Sequence, residues 1–97
     1  MPKKYPPLTP AEVVAILLAR GFVLHRTRGS HAHYKGIIKG VKCLVTIDMH
    51  YGEFDVGRIK DMMQQANLSR EEFYGSTKRT AKKINLIASE YPIPLKK

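Results

Sequence analysis

The chain has 97 residues, with 17 Lys and Arg against 8 Asp and Glu and a net charge of +9 at pH 7. Its length supports one compact core of helices against a sheet and excludes two self-sufficient domains, and its charge points to polyanionic partners, either nucleic acid or an acidic protein. The lone Cys43, set among Val41, Leu44 and Val45, excludes an intramolecular disulfide framework, and no run approaches the roughly 18 apolar residues of a membrane span.

Pro6 and Pro7 keep residues 1–8 an extended arm, which lacks the apolar stretch of a secretion signal, so a cytoplasmic protein with no membrane partner is expected. Thr9 can cap a helix, with Pro10 at its first position and Glu12 where a capping box needs it. The spacing of Val13, Ile16, Leu17 and Leu18 predicts a helix over 10–20, and Gly21 stands where a left-handed residue ends one. From 22 to 48 the pattern becomes β-branched and aromatic: a strand from Phe22 to Thr27, a break at Arg28-Gly29, a strand over 31–35, a second break from Gly36 to Gly40, and a strand over 41–47. Val41, Cys43, Val45 and Ile47 fall on one face of the last strand, the side expected to pack on the helices. Asp55 can cap a helix over 56–66 whose Val56, Ile59, Met63 and Ala66 recur at core spacing. Ser69 to Glu72 form a capping box before Phe73, and a basic helix over 77–89 is expected before Pro92 and Pro94. The expected class is α+β, in the order α-β-β-β-α: a three-stranded antiparallel sheet with helices on one face, plus a C-terminal helical extension.

Charge is concentrated on one part of this layout. No acidic residue lies between Glu12 and Asp48, a stretch holding Arg20, Arg26, Arg28, Lys35, Lys39 and Lys42. Four histidines, His25, His31, His33 and His50, are the groups able to move protons near neutral pH. On a strand over 31–35, His31 and His33 share a face, roughly 6.5–7 Å apart, among those cations. Gly29 permits a tight turn and close approach of a phosphate, and Ser30 places a hydroxyl beside His31. His25 and His50 read as ordinary surface residues.

A basic face carrying an imidazole suits RNA cleavage without metal. The base takes the proton of a ribose 2′-hydroxyl, its oxygen attacks the adjacent phosphorus, and cations such as Arg26, Arg28 and Lys35 stabilise the developing charge. DNA lacks the hydroxyl and survives. The acid that protonates the leaving oxygen stays open, His33 being the candidate. His31-Ala32-His33 and Asp48-Met49-His50 resemble partial metal-ligand sets, but they are incomplete and their cationic surroundings disfavour a dication, so no metal or cofactor is expected. There is neither a Gly-rich phosphate loop followed by Lys and Ser or Thr nor a residue set for acyl transfer.

Over residues 9–74 the chain resembles the HicA, or YcfA-like, family of toxin ribonucleases. The resemblance rests on the first helix ending at Gly21-Phe22, the Arg28-Gly29-Ser30-His31 turn followed by Tyr34, the strand ending near His50, and the segment Gln64-Gln65-Ala66-Asn67-Leu68-Ser69-Arg70-Glu71-Glu72-Phe73. It implies a fold similar to a double-stranded-RNA-binding domain, metal-free mRNA cleavage with His31 as the catalytic histidine, and neutralisation by a HicB-type antitoxin. Arg26, Arg28, Gly29, Ser30, His33 and Lys35 are the expected RNA contacts. Two features depart from the family. Asp48 stands where a proline is frequent, putting an anion near the site. Residues 75–97 extend past the usual end, with Lys78, Arg79, Lys82, Lys83, Lys96 and Lys97 against Glu90; the extension is either solvated or adds phosphate or antitoxin contacts. The rival readings are a non-catalytic RNA-binding module and a protein-interaction domain without an RNA role.

Overall fold

The computed structural model describes residues 3–96; Met1, Pro2 and Lys97, the outermost residues of the expected arm and extension, lie outside the described residues. The elements are α1 (Pro10–Ala19), β1 (Val23–Arg28), β2 (His31–Ile38), β3 (Val41–Asp48), α2 (Val56–Ala66), α3 (Arg70–Tyr74) and α4 (Lys78–Lys82). The strands form an antiparallel meander in the order β1-β2-β3, and α1 and α2 pack on its β3 side. This is the α+β arrangement expected for a double-stranded-RNA-binding-domain-like layout.

Local chemistry sets the boundaries. The Thr9 hydroxyl accepts from the Glu12 N–H at 3.2 Å while the Glu12 carboxylate accepts from the Thr9 N–H at 2.9 Å, which satisfies two orphan donors at the start of α1. Asn67, with φ +57°, ends α2 in the left-handed conformation. The expected second break does not begin at Gly36. β2 runs on to Ile38 because Gly36 is a packing residue: a Cβ there would lie 2.8 Å from Cγ of the buried Phe22 ring. The turn is instead Lys39-Gly40, both at positive φ, the backbone that two-residue hairpins require.

Ala32, Tyr34 and Ile38 of β2 and Cys43, Val45 and Ile47 of β3 point under the helices and are buried with Val13, Ile16, Leu17, Ile59, Met62 and Met63. Full burial of each large aliphatic or aromatic side chain is worth about 1.5–3 kcal/mol. Val41, expected on this face, is 52% exposed at the start of β3, although Ile38 opposite it is buried. Every residue of the edge strand β1 is exposed. The arm is anchored as well: Leu8 is fully buried, its carbonyl accepts from the Phe54 N–H at 2.8 Å, and the Tyr74 hydroxyl donates to the Pro6 carbonyl at 2.7 Å.

The expected helix over 77–89 is a single turn. Asn85 takes φ +55°, and the chain then folds back so that the Ile93 N–H reaches the Gly75 carbonyl at 3.0 Å. The Arg20 guanidinium donates to the Ser76 hydroxyl and to the carbonyls of Glu72 and Ile93 at 2.6–2.9 Å. Glu12, 7% exposed, pairs with Arg79 at 3.3 Å and Lys83 at 3.0 Å. Glu72, 1% exposed, accepts from the Lys39 ammonium and the Ser69 N–H, both at 2.8 Å, and from the Lys96 N–H at 2.6 Å. The segment after α3 is therefore packed on the body, with two of its cations spent on Glu12.

Burial pushes the Glu72 carboxyl up, but the hydrogen bonds from Lys39, Ser69 and Lys96 outweigh it and hold the group at about 2. A folded value below the ordinary 4.5 gives stability that is present above that pH and lost as pH falls through about 2. Glu72→Gln is expected to lower neutral-pH stability by on the order of 3 kcal/mol, with the difference from the parent shrinking in urea unfolding as pH drops. Gly36→Ala should cost about 1–3 kcal/mol through its clash with Phe22, and an unchanged unfolding midpoint would contradict that account.

Candidate functional site

Period-two alternation along β2 sends Ala32 and Tyr34 into the core, so His31, His33 and Lys35 must project from the opposite face. Register then assembles rows across the sheet. Arg28 of β1 pairs with His31 of β2, and His31 pairs with Asp48 of β3; one row further along the same face, Arg26, His33 and Thr46 are aligned. Gly29, at φ +59°, and Ser30 form the two-residue turn that delivers His31 opposite Arg28. A bulge at His25 restores the pairing of β1 beyond this point and leaves that histidine exposed.

Six of the expected residues therefore converge: Arg26, Arg28, Gly29, Ser30, His31 and His33. Lys35 stands one row beyond His33. It lies on the same face about 13 Å along β2 from His31, beside a separate cavity of about 550 Å³ lined by Val23, Gly36, Ile37, Lys42 and Cys43. Arg26 and Arg28 have no carboxylate partner among the described residues, so their charge is available to a ligand.

The two outward histidines of β2 have different surroundings. His33 is half-buried, and its Nδ1 lies 3.0 Å from the Thr46 hydroxyl, so only Nε2 is left for a ligand. The His31 side chain is 54% exposed, and its Nε2 stands 3.7 Å from Oδ2 of Asp48. The other oxygen of Asp48 accepts from the His50 N–H at 3.0 Å. That backbone bond, helped by the Ser30 side chain and by the nearby His31 and His50 rings, holds the Asp48 carboxyl below its ordinary value and so keeps it anionic at neutral pH. His50 belongs to this cluster, although as a sequence position it reads as plain surface.

Beside His31 a cleft of about 160 Å³ opens between β3 and α2, lined by Thr46, Asp48, Phe54, Arg58, Asp61 and Gln65. Gln65 accepts from the Thr46 N–H at 3.2 Å, and Arg58 lies 4.5 Å over the Tyr51 ring while pairing with Asp55 at 3.4 Å. Arg58, Asp61 and Gln65 are absent from the sequence-based site. Their signal is a polar stripe at helical spacing, flanking Ile59, Met62, Met63 and Ala66, but only packing shows that it faces β3. No three His, Cys, Asp or Glu side chains come together as a metal-ligand group among the described residues.

A family model described as HicA toxin of bacterial toxin-antitoxin matches residues 10–68, more than half of the chain and the whole span from α1 through α2. The chain belongs to the HicA toxin family. It is thus the toxin half of a bacterial toxin-antitoxin pair, and an antitoxin is its partner. The Gly29-Ser30-His31 turn and the cleft beside it both lie inside the family span, whereas α3, α4 and the segment tied to Glu12 and Glu72 follow it. No curated protein matches the chain. Among the described residues of this HicA-family chain, no helix is long and apolar enough to cross a membrane.

Proposed function

We propose that this HicA-family toxin is an endoribonuclease that cleaves mRNA without a metal, with His31 as general base, and that a HicB-type antitoxin neutralises it. The observation that carries the reading is the row Arg28-His31: an exposed imidazole next to a guanidinium with no carboxylate partner among the described residues, on the one face where both cations and histidines emerge. His31 takes the proton of a ribose 2′-hydroxyl. The 2′-oxygen forms a bond to the adjacent phosphorus, the bond from phosphorus to the 5′-oxygen breaks, and that oxygen leaves with a proton from water or from Nε2 of His33. Arg28 and Arg26 neutralise charge developing on the phosphoryl oxygens, and the Gly29-Ser30 turn lets the backbone of the RNA come close. The substrate supplies its own nucleophile, so positioning and charge stabilisation are the work left to the protein.

Residues 9–74 would form the working unit, and 75–97 an extension that braces it. Action on mRNA places the protein in the cytoplasm. A HicB-type antitoxin of acidic character would cover the cationic face by charge complementarity. Asp48 favours a second reading, a non-catalytic RNA-binding module, because an anion beside His31 opposes phosphate approach.

Purified protein and its His31→Ala variant, incubated in excess chelator with a defined RNA, separate the readings. The parent is expected to cut and the variant to lose at least about 100-fold in rate, while the same RNA with 2′-deoxy sugars stays intact. RNA bound but never cut would establish the binding module instead. Arg26→Ala and Arg28→Ala should each weaken RNA binding about equally across sequences and reduce the slope of log K against log salt by about 1. An unchanged slope would remove both arginines from the interface.

A further inference from the structure

Asp48 is close enough to His31 to act through it. Cross-strand register sets the two side by side at the open end of the sheet, with Oδ2 3.7 Å from Nε2 of a ring that is half exposed. The carboxylate itself is held in place, because Oδ1 accepts the His50 N–H at 3.0 Å. An acceptor fixed against one ring nitrogen selects the tautomer that carries its proton there.

We propose that Asp48 is a positioning residue for His31: its carboxylate holds the imidazole as the Nε2–H tautomer, leaves Nδ1 as the proton-accepting atom, and shares the charge of the imidazolium that forms. The rate consequence rests on the nuclease reading above; the tautomer does not. The proton of the 2′-hydroxyl moves to Nδ1 while Nε2 keeps its own, so the ring becomes a cation next to an anion already in place. The anion then stabilises the transition state more than the resting state, which is what raises kcat rather than affinity. Its cost is repulsion of incoming phosphate, which Arg28, next in the same row, offsets.

Asp48→Asn tests this with little risk to the fold, because the amide oxygen can still accept from His50. Its amide nitrogen, where Oδ2 was, is a donor and favours the opposite tautomer, with Nε2 bare and Nδ1 protonated. Nitrogen chemical shifts of the neutral His31 ring, read by NMR, are expected to show Nε2–H in the parent and in Asp48→Glu but Nδ1–H in Asp48→Asn. In the cleavage assay Asp48→Asn should lose roughly 10- to 100-fold in kcat at unchanged or lower KM, with partial recovery in Asp48→Glu. Identical ring shifts in parent and Asp48→Asn overturn the proposal, as does an Asn variant that cuts as fast as the parent or faster. Failure of the nuclease reading is separate: a parent that cuts nothing refutes that reading, and the ring shifts still decide whether Asp48 sets the tautomer.

Discussion

The alternation of β2 is the constraint on which the rest of the molecule depends. Ala32, Tyr34 and Ile38 are needed under the helices, so His31, His33 and Lys35 can only be outside. A slip of one residue would exchange the two sets, burying two imidazoles and exposing the core. Three devices hold the register. Gly36 admits the Phe22 ring, and a two-residue turn at either end of β2, Gly29-Ser30 and Lys39-Gly40, allows no slack. The same register places Arg28, His31 and Asp48 in one row, so the fold and the candidate chemistry share a single determinant.

Charge is managed in two ways in this basic chain. Two carboxylates, Glu12 and Glu72, are buried and surrounded by donors, and they draw the C-terminal segment onto α1 and the Lys39 turn. Buried carboxylates of this kind need every oxygen satisfied, and here the backbone supplies as many partners as the side chains do. On the sheet's outer face the opposite holds. Arg26 and Arg28 project to solvent with no carboxylate partner among the described residues, and Asp48, in the row of Arg28, stands beside an imidazole. A field built from such cations attracts polyanions and acidic protein surfaces alike.

The extension beyond the family span illustrates how a local reading can mislead. Lys78, Arg79, Lys82 and Lys83 read as a cationic helix, yet Arg79 and Lys83 turn to Glu12, some seventy residues earlier in the chain, and the helix stops after one turn. Arg79 and Lys83, four residues apart, reach Glu12 from one helical face, and the chain then turns at Asn85 and brings the Ile93 carbonyl to Arg20 and the Lys96 N–H to Glu72.

Much of the fold was legible in the residues themselves. Thr9 with Glu12, Gly21, Asp55 and Ser69 with Glu72 mark helix ends through chemistry confined to one turn of chain, and alternation marks the strands. His31 beside a Gly-Ser turn was legible for the same reason, since the turn, the base and the neighbouring arginine are adjacent in sequence. Gly36 has the local look of a break because what it accommodates, Phe22, is named only by packing. The contact of Asp48 with His31, the membership of His50 in that cluster and the placement of the α2 polar stripe along the cleft were likewise decided by tertiary structure alone. Sequence by itself determined what short-range hydrogen bonding and periodicity encode; the pairing of groups from different elements depends on register and packing, which no local pattern contains.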